Sequence, residues 1–296
     1  MSHTGEIAAL GTALCWTVTV MSFEAAGRRI GALPVNFIRL LFALVFLTIY
    51  SLIFRDMPLP LDAGGHAWLW LALSGIVGFV IGDLCLFRSF ILVGGRVAMV
   101  IFSLVPPMTA IFGWAVLGEV LSVRAWMGMM VTVAGISLVV LTRDKGDGKV
   151  RLSHPLKGIL LAFLGAVGQA AGLVLSKHGM GDFDPFASTQ IRILAAAGAF
   201  LFVIPVAGMS HRIKSGFLNP GALKFVLLGA FFGPFLGVSL SLLAIKHVQT
   251  GIASTIMALV PVFAIGPEVF ILKRKVRPIE ILGAFVAVGG VALLSL

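Results

Sequence analysis

Apolar residues fall along this chain in long stretches, each close to the roughly 20 residues that carry a helix across a bilayer. Ten stretches follow one another, at about 5–24, 34–54, 67–87, 96–117, 124–142, 157–177, 185–206, 221–244, 249–272 and 276–296. The segments between them are mostly short and leave no room for a soluble domain. The pattern predicts an all-α integral membrane bundle of ten transmembrane helices.

The pattern is written twice. Ile101-Phe-Ser-Leu-Val-Pro106 returns about 155 residues later as Ile256-Met-Ala-Leu-Val-Pro261, and Gly128-Met-Met-Val-Thr-Val-Ala-Gly135 returns as Gly283-Ala-Phe-Val-Ala-Val-Gly-Gly290. Ser74, Gly78 and Gly82 fall on Gly229, Gly233 and Gly237 at the same offset, and Arg39 falls on Arg192 at an offset two residues shorter. The expected organisation is a first repeat over 1–142, a basic inter-repeat loop over 143–156 and a second repeat over 157–296. Five helices per repeat is an odd number, so the second repeat enters the membrane from the opposite side. Inverted repeats in an apolar chain are the mark of secondary transporters, whose site lies where the halves meet. The first, third, fourth, sixth, eighth and ninth spans are expected to line a central cavity.

Composition agrees: 59% of residues are hydrophobic, 11% are charged and the mean hydropathy is +1.09, where a soluble domain carries about a quarter charged residues. The net charge of +10 forms no continuous patch and no soluble module is present to carry one, which argues against nucleic-acid binding. Sixteen Lys and Arg residues, among them Arg28, Arg29, Lys145, Lys149, Arg212, Lys214 and Lys224, lie in loops after odd-numbered spans, against four in the other set, Arg55, Arg124, Lys177 and Lys246. The positive-inside rule then places the sixteen in the cytoplasm and both termini outside.

No basic stretch precedes the first span and more membrane follows it, so it does not resemble a cleaved signal peptide. Cys15 and Cys85 each lie inside a span and read as small buried hydrophobes, not as a disulfide or metal pair. No zinc-type His/Glu spacing, phosphate-binding loop or nucleophile elbow is present, so neither a metal, a cofactor nor a catalytic residue is expected.

In lipid, helices associate through close backbone approach at small residues. The runs Ser74/Gly78/Gly82 and Gly229/Gly233/Gly237 supply such faces. Pro106 and Pro261, near the middle of the fourth and ninth spans, are expected to break their helices as matched hinges beside a cavity. Polar residues at membrane depth are costly and hence functional candidates. Trp16 and Gln169 are repeat mates central in the first and sixth spans, and suit contact with a small amphipathic solute or, alternatively, simple packing. Asp83 and Glu268, near the ends of the third and ninth spans, are further substrate-site candidates and candidate proton carriers, or partners of a neighbouring Arg. Arg39 and Arg192 suit a shared structural role more than anion binding.

These residues resemble the EamA branch of the drug/metabolite transporter superfamily over nearly the whole chain. The resemblance rests on Ser103-Leu-Val-Pro106, Leu117-Gly-Glu119 followed by Gly128 and Gly135, Arg39 after Pro34, and Gly251-Ile-Ala-Ser254 before Val260-Pro261. It implies two inverted five-helix repeats around a central cavity, and export or exchange of amino acids and small metabolites. The family's proline maps to Pro106 and Pro261, its arginine to Arg39 and Arg192, and its Gly-Glu to Gly118-Glu119. The second repeat departs from it with Lys273-Arg274, and the first helix carries Glu24 where a Lys is usual. The expected function is therefore a non-enzymatic secondary transporter in a bacterial-type cytoplasmic membrane, exporting a small organic metabolite by alternating access, with the proton a candidate coupling ion. The alternatives are an intramembrane enzyme, for which the six histidines are too scattered, and a lipid or precursor translocase.

Overall fold

The computed structural model of the protein describes residues 3–142, 155–206, 208, 210–270, 273 and 276–295. Lys145, Lys149 and the rest of the expected inter-repeat loop up to residue 154 lie outside the described residues. The membrane helices are α1 (Thr4–Ile30), α2 (Ala32–Arg55), α3 (Gly65–Gly94), α4 (Val97–Leu117), α5 (Val123–Thr142), α6 (Pro155–Met180), α7 (Pro185–Val206), α8 (Pro220–His247), α9 (Thr250–Phe270) and α10 (Pro278–Ser295). Among the described residues nine of these helices are long and apolar enough to cross a membrane, α10 is a shorter apolar helix, and there is no strand. A short amphipathic helix, Ser210–Phe217, joins α7 to α8 and buries Ile213 and Gly216. The expected spans are recovered, with overruns where polar residues extend a helix beyond hydrocarbon length. Thus α1 continues through Glu24 and Arg28, an i,i+4 ion pair at 2.9 Å.

The chain folds into two compact units. One contains Met1–Val80 and Leu175–His247, and the other Ile81–Val174 and Val248–Leu296. Each unit therefore draws on both sequence repeats: α1, α2, α7 and α8 belong to the first, and α4, α5, α9 and α10 to the second.

The inversion of the repeats is visible in one helix pair of the second unit. A Cβ added at Gly128 of α5 would stand 2.7 Å from the Gly290 carbonyl oxygen of α10, and one at Gly135 would stand 2.7 Å from that of Gly283. The numbers run in opposite directions along the two helices, so α5 and α10 cross antiparallel, and each contact is the repeat mate of the other. Thr132 marks the crossing: its hydroxyl donates to Gly128 O at 2.8 Å and reaches Ala287 O, its own repeat mate's carbonyl, at 3.3 Å. Only small residues permit such backbone approach, and the dispersion attraction between the two backbones replaces the hydrophobic drive that lipid does not supply.

Candidate functional site

Two π-helical turns interrupt the spans at matched positions, Ile76–Gly82 in α3 and Phe231–Gly237 in α8. The reason differs between the repeats. In α8, Pro234 stands inside the turn and has no N–H to donate; the widened turn accommodates it, and the Val238 N–H reaches back to Gly233 O. In α3 the corresponding residue is Phe79, and the turn is carried by the glycine-rich Ile76–Gly82 stretch alone. Such turns redirect the side chains that follow and recur at functional sites.

In the first unit the α8 glycine ladder lies on α1. Added Cβ atoms would meet Phe23 at Gly229, Thr19 at Gly233 at 2.7 Å, and Trp16 at Gly237 at 2.6 Å. Trp16, half-buried, thus packs on the last residue of the α8 π turn, where Thr12, fully buried, also reaches the Gly237 carbonyl at 3.3 Å. Thr12 carried no signal in the sequence beyond being a hydroxyl in an apolar span.

In the second unit the repeat-mate arrangement holds a polar pair. Asp83 follows Gly82 directly after the α3 π turn, is 6% exposed, and accepts a 3.0 Å hydrogen bond from Gln169 Nε2 of α6. The sequence singled out both residues without placing them together; the structure does. Gly165, one helical turn before Gln169, lets α6 approach so closely that an added Cβ would stand 3.3 Å from Gly82 O. Glu268 lies in the same unit on α9, 3% exposed, next to Pro267.

Pro106 and Pro261 each occupy the second position of a fresh helical segment, not the middle of a continuous one. α4 breaks at Ser103–Leu104 before Val105, and α9 breaks at Ala258–Leu259 before Val260. The Leu104 N–H bonds to Ile101 O at 3.1 Å and the Leu259 N–H to Ile256 O at 3.2 Å, the same tightened i−3 turn in both repeats. Proline is well tolerated there because first-turn N–H groups have no intrahelical acceptor.

At the far end of α4, Gly118 takes the left-handed conformation (φ 68°) and presents Glu119 to the start of α9. Glu119 Oε2 accepts from the Thr250 N–H at 2.8 Å and from its hydroxyl at 2.7 Å, and Gln249 Nε2 donates to Val120 O at 3.0 Å. A carboxylate on the first N–H groups of a helix satisfies orphan donors and opposes the helix dipole. Lys273 repeats the left-handed conformation (φ 52°) at the end of α9, although Lys replaces Gly there.

Arg39 and Arg192 lie in the first unit but not at one level. α2 and α7 run antiparallel, Phe37 meeting Phe200 at one end and Ser51 donating to Gln190 Oε1 at the other. On that register the two arginines are separated by about eight residues of helix, on the order of 12 Å. Arg192 is 4% exposed with its guanidinium 4.8 Å from the Phe79 ring, and Arg39 stands 5.4 Å from that of Phe23. Gln190, which carried no signal in the sequence, is fully buried and donates to Pro58 O at 2.8 Å and to Thr48 Oγ1 at 3.2 Å, tying the α2–α3 loop to α7. Cys15 and Cys85 are free thiols, and no group of His, Cys, Asp and Glu among the described residues is disposed to hold a metal ion.

Known proteins share this architecture. A model of the EamA-like transporter family matches residues 3–141 and again residues 156–296. An "uncharacterized transporter" of Archaeoglobus fulgidus is 24% identical over 97% of this chain and 96% of its own. A chloroplastic triose phosphate/phosphate translocator of Flaveria trinervia is 25% identical over 70% of this chain and 51% of its own length, so the match spans about half of that protein. A solved crystal structure matches with a TM-score of 0.76 at 17% identity, covering 99% of this chain and 96% of the other, which speaks to the fold.

Proposed function

This chain belongs to the EamA-like transporter family, within the drug/metabolite transporter superfamily, and from that premise we propose that it exports amino acids or other small organic metabolites across a bacterial-type cytoplasmic membrane by alternating access. A multi-pass membrane transporter with a small-molecule substrate is the family's common ground. The finer reading is supported most by the Asp83–Gln169 pair. A carboxylate and an amide held 3.0 Å apart at the end of a π turn, inside an apolar span, are costly to keep in lipid. They suit recognition of a polar solute and, through Asp83 or Glu268, proton coupling. Matched interruptions in α3 and α8 and in α4 and α9 give the inverted repeats equivalent points of bending, which alternating access uses. The charge bias of the loops supports termini on the outer side.

The test is a thermal-stability screen of the purified protein against a metabolite library, since a ligand of the folded state raises the melting temperature by mass action. Hits are then followed by counterflow in proteoliposomes, with and without a proton gradient. Ligands that bind but never exchange overturn the transport reading. Insensitivity of exchange to the gradient removes the proton.

A second substrate reading, a phosphorylated or otherwise anionic metabolite, is favoured by the buried Arg192 and by the translocator relatives' names. With the two arginines on the order of 12 Å apart along the helices, one small anion engages one of them, not both. Competition by phosphate esters in the same counterflow assay separates the readings.

A further inference from the structure

α2 and α8 leave a groove of about 300 Å³ on the outer surface of the first unit, lined by Phe46 of α2 and Lys224, Leu227, Leu228 and Phe231 of α8. Leu227, Leu228 and Phe231 are 43%, 45% and 37% exposed, and their spacing from Lys224 puts all four α8 residues on one helix face. From Lys224 to Phe231 the face runs about 10 Å at 1.5 Å per residue. Lys224 lies within the first turn and a half of α8, so its ammonium stands at the membrane interface while the apolar lining descends toward the hydrocarbon.

The rim around that ammonium is basic. Lys224 Nζ and the Arg29 guanidinium flank one ring, Phe225, at 5.3 and 4.9 Å, and Arg29 donates to the Gly221 carbonyl. The short helix Ser210–Phe217 turns Ile213 and Gly216 inward, an added Cβ at Gly216 standing 3.1 Å from Ile38 of α2, and carries His211, Arg212 and Lys214 on its exposed side. That is the build of an interfacial helix. Glu24, the acidic group near this end of α1, bonds to Arg28 at 2.9 Å.

We infer that this groove binds an anionic phospholipid, with the phosphate at Lys224 and one acyl chain laid along Phe46, Leu227, Leu228 and Phe231. A cation at the interface above an apolar channel matches the two parts of such a lipid in order and in depth. Clustered basic residues at the membrane surface attract anionic headgroups, each contributing about 1 kcal/mol.

The experiment compares phosphatidylglycerol with phosphatidylcholine of the same acyl chains, titrated into the delipidated full-length protein and counted by native mass spectrometry. Wild-type protein is expected to retain phosphatidylglycerol preferentially. Lys224→Gln should weaken that retention about fivefold, the equivalent of one basic residue, and leave phosphatidylcholine unchanged. Lys224→Arg should keep the preference, Leu228→Trp should fill the groove and weaken retention of both lipids, and Lys246→Gln, at the opposite end of α8, should do neither. Equal retention of the two headgroups by wild type, or indifference to both Lys224→Gln and Leu228→Trp, identifies annular lipid only and overturns the proposal. Should Lys224→Gln fail to fold, the contrast between Lys224→Arg and Leu228→Trp decides alone. Failure here leaves the transport reading intact, because Lys224 is not among the residues on which that reading rests.

Discussion

The indole of Trp16 occupies the space that any side chain at Gly237 would need: an added Cβ would stand 2.6 Å from both its Cδ1 and its Nε1. Gly237→Ala is therefore expected to lower the melting temperature in detergent, at an overpacking cost of about 1–3 kcal/mol. Trp16→Ala in the same chain should recover only part of the loss, since the added Cβ also stands 2.8 Å from the Phe232 carbonyl oxygen. Gly198→Ala on α7, where nothing lies within 4 Å, should be neutral or stabilising by up to about 1 kcal/mol, the propensity gain alone. Equal effects at Gly237 and Gly198 would show that the α1–α8 approach is not a tight one.

The Asp83–Gln169 hydrogen bond carries a second expectation. Gln169→Leu removes the amide donor from a buried carboxylate, a loss of about 1–3 kcal/mol in stability. Replacing both partners should cost less than the sum of the single changes, because neither is then left facing an absent group. A double-mutant cycle on melting temperatures, with Asp83→Ala as the other arm, measures the coupling; strict additivity would mean that the two residues act separately.

The spans and the inverted pairing were legible because lipid imposes them: hydrophobic length sets each helix, and repeated glycines such as Gly128/Gly135 and Gly283/Gly290 mark where backbones meet. The polar candidates were legible one by one for the same reason, since Asp83, Gln169 and Glu268 are rare types in apolar spans. Their pairing was not, because it depends on how α6 meets α3, and nothing in the 3.6-residue period encodes a π turn. Pro234 lies inside one such turn, while its mate Phe79 has no property that marks the other. Pro106 and Pro261 were expected to break their helices near the middle; the structure puts each at the second position of a new segment, after the turns at Ser103–Leu104 and Ala258–Leu259. Gln190 and Thr250 stayed hidden because their partners are distant in sequence: the Pro58 carbonyl and the Thr48 and Ser51 hydroxyls for the first, Glu119 for the second.

Glu119 and Thr250 predict a helix-cap effect. Glu119→Ala removes the acceptor of two hydrogen bonds at the start of α9 and should cost about 0.5–2 kcal/mol of stability. Glu119→Gln keeps an acceptor oxygen but loses the charge that opposes the helix dipole, so its effect should be smaller. Thermal unfolding of both variants beside Thr250→Val gives the order; a larger loss for Gln than for Ala would refute the capping role.

The sharpest separation of binding from motion lies between Pro106 and the Trp16 and Gln169 sites. Pro106 stands two residues after the Ser103–Leu104 turn, and an alanine there restores the backbone N–H that proline lacks. That donor can add one bond between the two α4 segments and stiffen the point at which they meet, while Pro107 keeps them from merging into one continuous helix. Turnover in proteoliposomes should fall while substrate affinity changes little, as expected when a conformational step limits the rate. Gln169→Leu and Trp16→Ala should behave in the opposite way. Loss of a polar contact in a buried site weakens binding by about 1–3 kcal/mol, or roughly five- to 150-fold in Kd. All three variants are compared after their melting temperatures show folded protein, with Kd taken from ligand-induced stabilisation and rates from counterflow. If affinity is unchanged in both Trp16→Ala and Gln169→Leu, these residues only pack the helices, and the solute contacts must then be sought around Glu268.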